Sequence, residues 1–240
     1  MLEITTTQVE NDIVLDFFSG SCATAHAVLD LNLNDGGNRK FIMVQLPESC
    51  PEDSEASKAG FKTIADIGKE RIRRVIKKIE SEQDGELDLE GKPKPDLGFK
   101  VFKLDRSNFK VWDSEPKEEV DAVQKQLELH IDHIHPESSQ EDILYELLLK
   151  SGFPLTTSIE KQEMAGKDVY SIEDGALLIC LEKSLTPEVI RAMADAKPLQ
   201  VICLDEGFEG NDQLKTNAVQ TFKSRSQGES EHQQIVFRTV

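Results

Sequence analysis

The sequence predicts an α/β protein, with a parallel sheet in its first half and a smaller α/β domain after it. Two observations place the sheet. A short continuous apolar run, Asp12–Phe18, closes in Ser19-Gly20-Ser21, and a helical pattern follows. A second apolar run, Lys40–Leu46, begins after the turn Asp35-Gly36-Gly37-Asn38. Strand, glycine turn, helix, glycine turn, strand is a βαβ crossover, and such crossovers build parallel sheets. A third observation places the smaller domain: beyond residue 137, short apolar runs again alternate with helical periodicity.

Within the first half, the unbroken Ile13-Val14-Leu15 reads as a strand buried on both faces. Thr24–Leu31 reads as a helix, with apolar residues at 25, 28, 29, 31 and 33. Pro47 stops the second strand, and residues 48–60 are polar with few structural signals. Ile64–Glu82 is a helix with Ile72, Val75, Ile76 and Ile79 on one face. Arg71, Arg73, Arg74, Lys77 and Lys78 fill most of its remainder. Residues 83–97 are charged and rich in Gly and Pro, which predicts a flexible loop. Gly98–Leu104 alternates apolar and polar residues and predicts a half-exposed strand. The first domain is expected to span 1–112. Residues 113–136 form an acidic linker with a helical stretch around Val120–Ile131 and a His-rich turn ending at Pro136.

The second domain, 137–240, opens with a helix over Gln140–Lys150 whose Ile143, Leu144, Leu147 and Leu148 share a face. Val169–Ile172 and Ala176–Leu181 read as strands around the hairpin turn Glu173-Asp174-Gly175. Thr186-Pro187 supplies an N-cap and a first-turn proline for a helix running to Ala196. Val201–Leu204 is a buried strand, Asn211–Phe222 a helix and Ile235–Val240 a last strand. There is no internal repeat.

Charge narrows the function. The chain has 240 residues, with 45 acidic and 28 basic side chains, a net charge of −17. Residues 1–110 hold 20 acidic and 16 basic residues, net −4, and residues 111–240 hold 25 and 12, net −13. Nucleic-acid binders draw affinity from neutralising phosphates, so a chain this acidic is not a free-standing DNA binder. No apolar run is long enough to span a bilayer, and no signal peptide is evident, so a cytoplasmic location is expected. Cys22, Cys50, Cys180 and Cys203 are widely spaced without a C-x-x-C pair and read as free thiols.

The informative segment is Asp16-Phe17-Phe18-Ser19-Gly20-Ser21. A strand ending in a carboxylate, a small-residue turn and a helix N-terminus suit a nucleotide-like ligand. The turn lets the backbone approach closely, and the helix N-terminus receives polar groups. In open α/β sheets ligands bind at the carboxyl ends of strands, and Gln45 stands at the end of the next strand, facing a ribose. Many parallel sheets also contain a glycine turn that binds nothing, so the turn alone leaves both readings open.

A longer pattern extends this. IVLDFFSGSCATAHAVLDLN, NDGGNRKFIMVQLPE and TIADIGKERIRRVIKKI resemble the C-terminal half of methyltransferase (Mod) subunits of type III restriction-modification systems. The resemblance continues through GFKVFKLDRSNFKVWD, YSIEDGALLICLE, VICLDEGFEGNDQLKTNAVQTFK and IVFRTV, essentially the whole chain. It implies a β-class adenine-N6 DNA methyltransferase that uses S-adenosylmethionine, with a partial Rossmann-like methyltransferase sheet followed by a C-terminal α/β interaction domain. Phe18 and Gly20 match the family's Phe-x-Gly cofactor motif, and Asp16 its acidic strand-end residue. The implied cofactor-binding set is Asp16, Phe17, Phe18, Ser19, Gly20, Ser21, Thr24 and Gln45.

The chain departs from that pattern in three places. Gln45 stands where many methyltransferases place a carboxylate, so charge-assisted strength is lost. Cys22 replaces the second glycine of the motif, and its side chain is expected to crowd the approach of a ligand. The catalytic Asp-Pro-Pro-Tyr, which flanks a flipped adenine in the family, is absent from the sequence. The resemblance therefore implies a fragment lacking the catalytic and target-recognition regions, inactive alone, that meets DNA only within an intact enzyme. Without its upstream strands the sheet would expose an edge, which predicts a dimer or a rearranged edge.

The other candidates have plainer readings. The basic residues of Ile64–Glu82 either approach DNA phosphates or form a solvated face, and the absence of interleaved aromatics favours the solvated face. His130, His133 and His135 lack a third ligand at a zinc-like spacing and read as surface residues. His26 either contacts a cofactor or packs in its helix. Asp205-Glu206 resembles an acidic ATPase motif, but no phosphate-binding loop accompanies it. An alternative to the enzyme-fragment reading is a non-catalytic interaction or dimerisation module, pairing with a second Mod subunit or with the restriction subunit through its acidic half.

Overall fold

The computed structural model describes residues 2–7, 12–83, 95–110, 134–226 and 234–240. They fall into two compact units, Met1–Val101 and Phe102–Val240. The sequence reading carries the first domain to 112. Most of the expected linker 113–136, including the helical stretch Val120–Ile131 and Trp112 before it, lies outside the described residues, as does most of the loop 83–97.

The first unit opens with one helical turn, α1 (Leu2–Thr5), followed by β1 (Ile13–Asp16), α2 (Ala23–Asp35) and β2 (Lys40–Met43). β1 and β2 pair in parallel, Ile13 opposite Lys40 through Asp16 opposite Met43. This is the βαβ unit that the glycine turns dictate. A further helical turn, α3 (Glu55–Lys58), is held by the Ser54 hydroxyl on Ser57 N–H. α4 (Ile64–Gln83) starts where Thr63 and Asp66 exchange backbone-to-side-chain hydrogen bonds. Arg39 closes the crossover from within. Its guanidinium is buried, 2.9 Å from the Asp35 carboxylate and 2.7 Å from the Thr6 hydroxyl, which ties the N-terminal segment to the end of α2.

One face of the β1–β2 sheet is covered. Phe41 and Met43 pack against Ala25 and Leu29 of α2 and against Ile72, Val75 and Ile79 of α4. The strand period of two sends their neighbours to the opposite face, where Ile13, Leu15 and Ile42 are 61%, 57% and 50% exposed. The two-sided burial implied by the continuous apolar run is therefore met on one face among the described residues.

The expected strand Gly98–Leu104 does not form. Leu97 and Phe99 instead pack on the core of the first unit, with the Arg73 guanidinium 5.9 Å from the Phe99 ring centre, while Leu104 is almost wholly exposed. Alternation reports only that a segment is two-faced. A ladder partner must still be available, and no strand pairs with this segment among the described residues.

The second unit is a three-layer α/β/α sandwich. Its elements run α5 (Gln140–Lys150), β3 (Ile159–Met164), β4 (Lys167–Ile172), β5 (Leu177–Cys180), α6 (Pro187–Asp195), β6 (Gln200–Cys203), a 3₁₀ turn (Asp205–Phe208), α7 (Asp212–Arg225) and β7 (Val236–Thr239). The sheet order is β3-β4-β5-β6-β7, antiparallel from β3 to β5 and parallel from β5 to β7. Val169, Leu178, Val201 and Cys203 pack one face against Val189 and Met193 of α6 and Phe222 of α7. Ile172, Ile179 and Ile202 pack the other against Ile143, Leu144, Leu147 and Leu148 of α5.

The caps do what their residue types predict. Ser139 and Asp142 form a capping box for α5, Thr186 accepts from Val189 N–H ahead of Pro187, and Asn211 accepts from Leu214 N–H. Asp174 and Gly175 both have positive φ, 54° and 92°, and the Ala176 N–H donates to the Glu173 carbonyl, the hydrogen-bonding pattern of a tight hairpin turn. β3 was not expected. Its sequence, IEKQEM, carries three charges along an edge strand, and composition alone does not mark it.

Candidate functional site

The eight residues singled out on sequence come together at the carboxyl ends of β1 and β2. Asp16 is the last residue of β1, and its backbone carbonyl accepts from Val44 N–H at 2.8 Å. Its carboxylate organises the turn that follows. Oδ1 accepts from Phe18 N–H at 3.1 Å, and Oδ2 accepts from the Thr24 hydroxyl at 2.6 Å. The acidic strand-end residue thus ties the turn to the first residues of α2.

The turn is also fastened to the chain just beyond β2. Ser19 is buried, and both its N–H and its hydroxyl donate to the Val44 carbonyl at 3.2 Å. Gly20 has a φ of 51°, the left-handed region, and its N–H donates to Gln45 Oε1 at 2.8 Å. Cys22 N–H donates to the Ser19 carbonyl at 2.7 Å. Ser21 N–H has no hydrogen-bond partner among the described residues.

Two features of this arrangement suit a polar ligand with a flat apolar part. α2 begins at Cys22 without a side-chain cap, so its first amides and Ser21 N–H are free to meet an oxygen acceptor. Beside them the Phe17 and Phe18 rings are 61% and 84% exposed, with centres 5.1 Å apart. A Cβ placed on Gly20 would meet nothing within 4 Å, so the turn opens onto clear space.

The expected crowding at Cys22 is taken up elsewhere. The residue is left-handed, with φ 57°, and buried. Its sulfur lies 3.7 Å from the Ser19 hydroxyl and packs against Gly68 of α4. A methyl group at Gly68 would come within 2.6 Å of that sulfur and 3.3 Å of the Gly20 carbonyl. The side chain that replaces the motif's second glycine therefore points into the protein, where another glycine makes room. Sequence reasoning missed Gly68. An isolated glycine inside an otherwise strong helical pattern was the available signal.

His26 lies one turn into α2 with Nε2 3.2 Å from the Asp30 carboxylate. On α4, Arg74 pairs with Glu70, Lys78 with Glu82, and Arg73 lies over Phe99, as a solvated face would. His130 and His133 lie outside the described residues, and the backbone N–H of His135 donates to the Asn108 carbonyl at 2.8 Å. No cluster of metal-ligating side chains occurs among the described residues. Asp205 opens the 3₁₀ turn and pairs with Lys215. All four cysteines are free thiols. Burial pushes the Cys180 thiol up to about 11 and that of Cys203, opposite it on β6, well above its ordinary value. No described helix is long and apolar enough to cross a membrane.

The chain is 31% identical over 212 residues to the Mod subunit of the type III restriction-modification enzyme EcoP15I of Escherichia coli, covering 85% of this chain and 29% of that protein. It is 29% identical over 202 residues to the EcoPI Mod subunit of Escherichia phage P1, covering 84% of this chain and 28% of that protein. It is 43% identical over 63 residues to the type II methyltransferase M.KpnI of Klebsiella pneumoniae, covering 26% and 15%. No family model matches the sequence. By its likeness to these subunits the chain is a Mod-like methyltransferase portion. It spans less than a third of the length of the Mod subunits it matches.

Proposed function

We propose that the first unit is the cofactor-binding portion of a type III, site-specific adenine-N6 DNA methyltransferase. S-adenosylmethionine would be held at the turn by Ser21 N–H and the start of α2, beside Phe17, Phe18 and Gln45. Asp16, Ser19, Gly20 and Thr24 would shape the turn. When bound, the cofactor supplies the methyl group. This chain's own residues bind and orient it, and the adenine-handling and target-reading parts belong to a longer enzyme acting in the cytoplasm. The observation that carries this reading is the left-handed Gly20 turn at the end of β1, joined to an uncapped α2 and fastened beside β2. The exposed Ile13, Leu15 and Ile42 face supports the fragment reading, because a methyltransferase sheet is buried on both sides.

Titration of the purified chain with S-adenosylhomocysteine, followed by amide NMR, tests the site. Shifts confined to residues 16–24 and 45, at weak affinity, are expected. Shifts confined to other residues, or none at saturating ligand, overturn the assignment. No labelled methyl should enter DNA, and measurable incorporation overturns the fragment reading.

A second reading applies to the other unit. Residues 111–240 carry net −13, and an acidic surface of this kind is suited to a basic protein partner. We propose it as an interaction domain, meeting a second Mod subunit or the restriction subunit.

A further inference from the structure

The sequence reading gives Gln45 one role, contact with a ribose, because it follows the strand whose end usually carries a carboxylate. Its geometry gives it another. The side-chain oxygen accepts from Gly20 N–H at 2.8 Å, across 25 positions of sequence, and the side-chain nitrogen donates to the Leu46 carbonyl at 3.2 Å. These partners fix the amide orientation: an N–H donor requires the oxygen, and a carbonyl requires the nitrogen. The oxygen is thereby engaged by the turn and the nitrogen by Leu46. The next carbonyl back, Val44, holds Ser19 N–H and the Ser19 hydroxyl. The segment after β2 therefore grips two successive amides of the turn, one of them on the left-handed Gly20.

We propose that Gln45 is a positioning residue for the glycine turn, acting through Gly20 N–H. It holds the turn in the shape that leaves Ser21 N–H and the start of α2 open, and reading a ribose is secondary. The extension to ligand affinity rests on the cofactor reading above; the hold on the turn does not. A carboxylate at this position would have two oxygens, one for Gly20 N–H and one for a ligand hydroxyl. The natural Gln has one oxygen and no charge, and keeps the grip.

The test uses the full chain and two variants, Gln45→Ala and Gln45→Glu. Hydrogen exchange of the Gly20 amide is measured by NMR without ligand, with Val28 and Leu29 of α2 as internal controls. Gln45→Ala should raise Gly20 exchange by about tenfold while leaving the controls unchanged, and Gln45→Glu should restore protection. Unchanged Gly20 exchange in Gln45→Ala overturns the proposal, as does an equal rise at Val28 and Leu29. In the ligand arm, Gln45→Glu should bind S-adenosylhomocysteine several-fold more tightly than the natural chain, and Gln45→Ala more weakly. If no variant binds, the cofactor reading fails and the exchange result still decides the role of Gln45.

Discussion

Gly68 and Cys22 form a matched pair: the sulfur of Cys22 occupies the space that a side chain at Gly68 would need, 2.6 Å from where a Cβ would sit. The match joins α4 to the glycine turn and explains how a cysteine is tolerated where the motif has glycine. Gly68→Ala should destabilise the first unit by about 1–3 kcal/mol, because the sulfur and the Gly20 carbonyl cannot both move aside. Cys22→Ala removes the sulfur and should recover most of that loss in the double variant. Urea unfolding of the two single variants and the double variant measures the coupling, and strictly additive effects would remove the pairing.

Arg39 supplies a second prediction, because among the described residues its charge pairs with the Asp35 carboxylate. The Arg39 side chain is 2% exposed and that of Asp35 is 17% exposed, at 2.9 Å. Arg39 lowers the pKa of the Asp35 carboxyl from its ordinary value, with the hydrogen bond from its guanidinium the largest cause. Asp35→Asn removes the carboxylate from beside a buried guanidinium and should lower the urea midpoint of the first unit. The N-terminal segment is bound through Thr6, so the same variant should also speed proteolysis before residue 12. Loss of stability without faster cleavage would place the ion pair outside that tether.

The elements legible in the sequence are those whose determinants are local. Thr186 with Pro187 and Asp174-Gly175 each carry their hydrogen-bond partners or backbone preference within four residues, and each marks its element. Ile159–Met164 and Gly98–Leu104 depend on which other strand is near, and there the pattern misled in opposite directions. The candidate site divides in the same way. Asp16 through Thr24 is one contiguous motif, and its internal bonds follow from the turn. The grip of Val44 and Gln45 on Ser19 and Gly20 joins strands 25 residues apart, and the accommodation of Cys22 by Gly68 crosses from the turn to α4. These are tertiary facts, and single-sequence periodicity does not encode them.

Glu146 of α5 carries a pH dependence whose sign can be worked out. Burial raises its pKa, but the Lys150 ammonium at 2.8 Å, the Ser107 hydroxyl at 2.6 Å and the Asn108 N–H at 2.7 Å outweigh burial and bring it to about 2. A carboxyl depressed in the folded state binds its proton more readily when unfolded, so its contribution to stability is fully present above the ordinary value of 4.5. That contribution fades as the pH falls from 4.5 towards 2. Glu146→Gln should therefore cost about 1–2 kcal/mol at neutral pH, and the gap from the natural chain should narrow as the solution is acidified through that window. Urea midpoints for both proteins at several pH values test this. A gap independent of pH would mean that the segment at Ser107 and Asn108 is held by the shape of the side chain at 146, and that its charge contributes nothing.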